Sequence, residues 1–252
     1  MEFRLDNLEV ERSNKSVYSE DGKTIKLFAE NYPSSRVLNE AINLAKVAES
    51  TDLQIPKLVE VGKIGNRWAL VMEYIEGKPL SKLIDDHPER LDAYLTFLAE
   101  VQLYISSKSV SMLPILKEKY RRKITESQEI SEDAKFELLQ RLNGMKNHTK
   151  LCHGDFSPSN VIIKPDGKYA IIDWAHATQG NASADIAKTY INFASNNRQE
   201  MGDKYLDIIS EKSKINKEYI QRWLPIVAAA YLDQENENKE LLKKWSDIVD
   251  FT

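Results

Sequence analysis

The feature that most constrains how this chain folds is a change of hydrophobic period near Glu76-Gly77. Before it, apolar and β-branched residues fall in short strand-like runs, at 3–10, 15–20, 24–29, about 57–63 and 67–73. After it, they recur at helical spacing over 79–107, about 112–126, 131–146, 182–196, 199–212, 217–233 and 236–249. A period of two lines one face of a sheet and a period of 3.6 lines one face of a helix, so one kind of element cannot serve both halves. The chain reads as α+β, with a strand-rich part over residues 1–76 and a mainly helical part over 77–252. In the first part Glu20-Asp21-Gly22-Lys23 signals a hairpin, since glycine accepts positive φ. Pro33-Ser34-Ser35 opens the one helix there, with Val37, Leu38, Ala41, Leu44, Ala45 and Ala48 at helical spacing.

Composition removes several classes of function. With 252 residues, 42% of them hydrophobic and 29% charged, the chain can build a real core and is not disordered. Its 35 basic and 39 acidic residues leave a net charge of −4, and no Lys/Arg block tracks a phosphate backbone, so no nucleic-acid partner is expected. The longest apolar run, Leu224 to Leu232, is far short of the roughly 20 residues that span a bilayer, so no membrane partner is expected either. A single cysteine, Cys152, excludes an internal disulfide framework. Together with the charged start Met1-Glu2-Phe3-Arg4-Leu5-Asp6, it points to the cytoplasm. Gly22-Lys23-Thr24 imitates the end of a Walker loop but lies in a hairpin turn and has Val17 where that loop needs glycine. His148, Cys152 and His153 lack a second ligand pair of metal-site spacing, and Cys152 reads as a small apolar core residue.

The helical pattern breaks between about 148 and 177, and the chemistry concentrates there. The segment runs Leu151-Cys152-His153-Gly154-Asp155-Phe156-Ser157-Pro158-Ser159-Asn160-Val161-Ile162-Ile163, and Ile171-Ile172-Asp173-Trp174 follows. Val161-Ile162-Ile163 and Tyr169-Ala170-Ile171-Ile172 flank Pro165-Asp166-Gly167-Lys168, a second hairpin. Phosphoryl transfer needs a carboxylate to orient and deprotonate the attacking hydroxyl, and oxygen ligands for Mg²⁺. Asp155 and Asn160 share one loop before a strand, and the hairpin returns Asp173 to the side of Asn160. A carboxylate and an amide oxygen suit a hard cation.

This order and spacing of His-Gly-Asp, four residues, Asn, strand, turn and Ile-Asp-Trp resembles the aminoglycoside phosphotransferase and choline kinase superfamily. The resemblance implies a two-lobed protein-kinase-like fold, with a small N-terminal antiparallel sheet plus one helix and a larger, mainly helical C-terminal lobe. It also implies Asp155 as catalytic base and Asn160 and Asp173 as Mg²⁺ ligands. His153 and Gly154 would shape the catalytic loop, and Asp185 would brace it. Lys26, on the third strand, would hold the α and β phosphates of ATP, itself held by Glu40 on the following helix. The backbone near Glu73 and Ile75 would read the adenine edge.

One departure stands out. The turn that would cover the phosphates, Arg12-Ser13-Asn14-Lys15-Ser16, holds no glycine. Ser13 and Asn14 would contact phosphate through side chains and backbone N–H groups, Asn being tolerant of the left-handed conformation. Weaker ATP binding, or a turn that orders only on binding, is the expectation.

The implied activity is ATP- and Mg²⁺-dependent transfer to a hydroxyl of a small molecule, an aminoglycoside first, with choline, another amino alcohol or a sugar as alternatives. Asp233, Glu235 and Glu237 offer acidity for a cationic acceptor, although Lys239, Lys243 and Lys244 follow closely. Trp174, Trp223, Tyr231 and Trp245 offer either a choline cage or simply core. A protein kinase is disfavoured, because about a dozen residues between Asp173 and Asp185 are too few for an activation segment. A catalytically inactive nucleotide-binding regulator is the rival that the missing glycine supports.

Overall fold

The computed structural model, which describes residues 3–233 and 238–247, begins with a meander of Leu8–Arg12 (β1), Lys15–Glu20 (β2) and Lys23–Phe28 (β3). The helix Ser34–Ser50 (α1) follows, then Leu58–Ile64 (β4) and Arg67–Glu73 (β5). The five strands form one sheet in the order β1-β2-β3-β5-β4, with every neighbouring pair antiparallel. The β2–β3 turn is the expected Asp21-Gly22, and both residues have positive φ, 47° and 72°, as a two-residue hairpin matched to strand twist requires. The first strand starts later than its apolar residues suggest. The Glu20 carboxylate takes up the Arg4 and Leu5 N–H groups, at 2.9 and 3.2 Å, so those donors are withdrawn from the ladder. Ile25 and Leu27 alternate inward against Ala69 and Val71, which sends Lys26 to the other face of the sheet. The buried stripe of α1 is Val37, Ala41, Leu44 and Val47, and two polar residues, Glu40 and Asn43, lie within it.

Lys78–Pro79 (β6) and Leu80–Asp86 (α2) come next, and a later segment returns to join them. That segment is a 3₁₀ turn at Pro158–Asn160 followed by Val161–Ile163 (β8) and Tyr169–Ile171 (β9). β6, β8 and β9 make a three-stranded sheet in that order. Gly77 permits the pairing. Its φ is +150°, and a Cβ there would stand 2.3 Å from the Ile163 carbonyl oxygen. Ile171 N–H bonds the Gln54 carbonyl at 2.8 Å, and the Asn43 amide bonds the Ala175 carbonyl at 3.2 Å. The first compact unit therefore comprises the chain up to Asp86 together with Pro158–His176, and the second comprises His87–Ser157 and the chain from Ala177. This is a different division from the expected lobes 1–76 and 77–252: residues 77–86 and 158–176 go with the strands, through pairings distant in sequence.

The second unit contains Leu91–Ser107 (α3), Leu116–Glu126 (α4), Glu132–Gly144 (α5), Lys150–Cys152 (β7), Thr178–Gly180 (β10) and Ala182–Ser195 (α6). Gln199–Ser213 (α7), Lys217–Gln221 (α8), Leu224–Tyr231 (α9) and Lys239–Ser246 (α10) complete it. Two expected helices are interrupted at proline. Pro88 sits in a 3₁₀ turn that divides 79–107, and Pro225 lies in the first turn of α9 and divides 217–233. Proline has no N–H to give, and it disfavours helix in the residue before it. The helix expected over 236–249 is α10, and its outer residues 236–237 and 248–249 lie outside the described residues. Ser131 and Asn181 cap α5 and α6 by accepting from Ala134 and Ser183 N–H. α6 is buried along nearly its whole length, from Ser183 to Ala194. Among the described residues no helix is long and apolar enough to cross a membrane.

Candidate active site

In the first unit the site is organised around a buried lysine. Lys26 Nζ lies 2.5 Å from Glu40 Oε1 and 2.9 Å from Asp173 Oδ1. Strand alternation sends Lys26 off the apolar face of β3, and the α1 stripe delivers Glu40 to meet it. Burial works against the charged amine, but Asp173 and Glu40 together outweigh burial and raise the Lys26 pKa above its ordinary value. Burial likewise opposes the Asp173 carboxylate, and the ammonium groups of Lys26 and Lys15 reverse this and hold its pKa well below the usual range. Both groups are ionised at neutral pH. Asp173 has φ of +66°, a conformation that few residues but Asn and Asp adopt readily, and it re-aims the carboxylate at the end of β9.

Asn160 stands at the mouth of the β8–β9 hairpin. Its carbonyl accepts from Ile172 N–H at 2.9 Å, which places it beside Asp173 as the hairpin reading expected. Both side chains offer hard oxygen donors. Asp173 Oδ2 already faces a cation, the Lys15 ammonium at 3.5 Å. Among the described residues no group of three or more His, Cys, Asp and Glu gathers, and a cation that keeps several waters and takes few protein ligands needs no such group. The donor set fits Mg²⁺.

Ser13 and Asn14 form the two-residue turn between Arg12 and Lys15. Neither has positive φ. The turn closes without a left-handed residue, so the absent glycine costs it nothing conformationally. Asn14 Oδ1 is buried without a hydrogen-bond partner, and the Asn14 carbonyl accepts from Ala29 N–H at 2.9 Å. At the other end of the strands, Glu73 and Tyr74 N–H bond the Lys57 and Gly22 carbonyls, each at 2.9 Å. Among the described residues no backbone bond takes up the Ile75 N–H.

Asp155 belongs to the second unit, where α6 holds its loop residue by residue. Asp185, in the first turn of α6, accepts from His153 N–H at 3.1 Å and from Gly154 N–H at 2.7 Å. Thr189 Oγ1 donates to the Phe156 carbonyl at 3.1 Å. Asn192 Nδ2 reaches Asp155 Oδ1 at 3.1 Å and the Phe156 carbonyl at 3.2 Å. Tyr231, from α9, donates to the Gly154 carbonyl at 2.6 Å. Gly154 takes φ of +82°, which lets the loop present successive N–H groups to one carboxylate. His153 is fully buried, and its Nδ1 accepts from Asp155 N–H at 3.3 Å. Asp155 itself is partly open, its side chain 39% exposed. Cys152 is buried, and burial, then the neighbouring Asp185, pushes its thiol pKa well up. It is an inert core residue.

Sequence reasoning missed Lys15, Asn43, Lys188 and Asn192. The signal existed for the last two. Asp185, Lys188, Thr189 and Asn192 recur at i, i+3, i+4 and i+7 in an otherwise apolar helix, which is a polar face in a buried element.

A family model described as the phosphotransferase enzyme family matches residues 7–214. No curated relative matches the chain. Among solved structures, a thermostable mutant of aminoglycoside phosphotransferase APH(4)-Ia, in ternary complex with ADP and hygromycin B, superposes with a TM-score of 0.72. It is 16% identical, with 96% of this chain and 92% of that one covered. Aminoglycoside-3′-phosphotransferase of type VIII gives 0.65 at 17% identity, covering 90% and 94%. Choline kinase LicA from Streptococcus pneumoniae gives 0.60 at 16% identity, covering 98% and 89%. At these identities the structures speak to fold, which is kinase-like, and the family model speaks to descent. The chain belongs to the phosphotransferase enzyme family.

Proposed function

We propose that the protein is an ATP- and Mg²⁺-dependent kinase of a small-molecule hydroxyl. The observation that carries the reading is Lys26, buried and ionised between Glu40 and Asp173. A core lysine held by two carboxylates is costly to build for stability alone, whereas a fixed cation is what a triphosphate needs. In this reading Lys26 binds the α and β phosphates, with Glu40 fixing its position. Ser13, Asn14 and Lys15 cover the phosphates, Lys15 supplying charge where relatives use glycine. The backbone at Glu73 and Ile75 reads adenine, and the Ile75 N–H is a donor for a ring nitrogen. Asn160 and Asp173 would hold Mg²⁺, which supplies charge neutralisation on the phosphate oxygens. Asp155 orients the acceptor hydroxyl and takes its proton as the phosphoryl group transfers.

The rival reading, an inactive nucleotide-binding regulator, drew its support from the missing glycine. A turn that closes without positive φ at Ser13 and Asn14 removes the conformational need for one. For the acceptor, an aminoglycoside is proposed first, since hygromycin B accompanies ADP in a neighbour of the same fold. Choline is less favoured by this chain's aromatics. Trp174, Trp223 and Tyr231 are core residues with about 1% exposure or none, and Trp245 stacks on Tyr190 at 5.7 Å. An amino alcohol or sugar remains the alternative. Asp233 is exposed, and Glu235 and Glu237 lie outside the described residues. The test is ADP release from Mg·ATP across a panel of aminoglycosides, choline, amino alcohols, sugars and water. Acceleration by one hydroxyl compound is expected. Tight ATP binding with no turnover on any of them would favour the regulator.

A further inference from the structure

Lys188 is a fully buried lysine that the reaction outlined above does not use. Its Nζ donates to Asn192 Oδ1 at 2.6 Å, lies 3.9 Å from Asp155 Oδ1, and sits over the Tyr231 ring at 4.4 Å from the centroid. Asn192 in turn donates to that same Asp155 oxygen, and Tyr231 bonds the Gly154 carbonyl. Each of these three groups belongs to, or holds, the loop that carries Asp155. Taking an ammonium out of water costs free energy that an apolar side chain does not. A methionine of similar length would pack here at less cost. The contacts of Lys188 converge on Asp155 and the groups that hold its loop.

We propose that Lys188 is a positioning residue of the transfer site. It fixes the Asn192 amide so that its N–H points at Asp155 and holds the carboxylate in one rotamer. It acts through Asp155 and touches neither nucleotide nor acceptor. The proposal rests on Asp155 being the base.

A double-mutant cycle tests it. Lys188→Met, Asp155→Asn and the double variant are compared for thermal stability, KM for ATP and kcat, using the fastest acceptor of the panel, or water where no compound accelerates ADP release. Lys188→Met should keep its Tm within about 3 °C, as removing a charge that does not serve stability implies. It should leave KM for ATP within about twofold and lower kcat by roughly tenfold to a hundredfold. In the Asp155→Asn background the same substitution should cost nothing more. Unchanged kcat in Lys188→Met, with a large loss in Asp155→Asn, overturns the proposal and leaves the base assignment standing. An equal additional loss in the double variant also overturns it, because Lys188 would then act independently. Undiminished transfer in Asp155→Asn, or no transfer by the unmutated protein even to water, defeats the functional reading and this proposal with it. If Lys188→Met does not fold, Lys188→Gln removes the charge with a polar replacement, and the same outcomes apply.

Discussion

A charged side chain inside a protein reports on what surrounds it, and Lys26 is the clearest case here. Its two carboxylate partners come from elements far apart in sequence, α1 and the end of β9, and only the folded first unit brings them together. Lys26→Ala removes a group that meets the phosphates in both ground and transition states. KM for ATP should rise by roughly tenfold or more, and kcat should fall as well. Steady-state kinetics on a variant with unaltered circular dichroism checks this, and normal values of both constants would contradict the clamp. The pairing of Lys26 with Glu40 and the return of the Asp173 segment to Asn160 were legible in the sequence, the latter because a short turn between apolar runs folds back on itself. Lys15 was not, because a turn without glycine draws the eye to the missing residue and away from the charge beside it. Lys188 and Asn192 share a helical face with Asp185 and Thr189 in an otherwise apolar helix, so the period marks a polar face there without showing that it meets a buried loop.

At the scale of elements, periodicity located the helices and proline decided where they break. The pattern 79–107 is helical in its apolar spacing throughout, yet Pro88 divides it, since spacing carries no information about a missing N–H donor. The pairings β7–β10 and β6–β8 were beyond reach, because each joins short strands distant in sequence with no turn between them to signal the pair. The β6–β8 pairing also makes a stability prediction. Ala at Gly77 would force a Cβ to 2.3 Å from the Ile163 carbonyl oxygen and 2.8 Å from the Ile162 side chain, at a φ of +150°. Gly77→Ala should cost on the order of 2–3 kcal/mol, seen as a fall of roughly 4–12 °C in Tm. Gly65 also has positive φ, but a Cβ added there would meet nothing within 4 Å, so Gly65→Ala should cost only about 1 kcal/mol. Equal losses in the two variants would show that backbone strain, not the close approach, governs Gly77.

At the scale of the whole molecule, hydrophobic period and one motif were enough to give the α+β class and the phosphotransferase family, and the family model over residues 7–214 agrees. The period could not show that 158–176 joins the strand-rich unit, since that follows from hydrogen bonds such as Ile171 to Gln54, more than a hundred residues apart in the chain. The most direct measurement of the proposed reaction is phosphoryl transfer by Asp155→Asn beside its ATP affinity. The substitution keeps size and shape and removes the basic carboxylate from a loop that α6 still holds through Asp185 and Thr189. ATP should bind within about twofold of the unmutated protein, while transfer falls by roughly 10²–10⁴-fold, the usual span for a general base. Transfer at the unmutated rate would contradict the account at its centre.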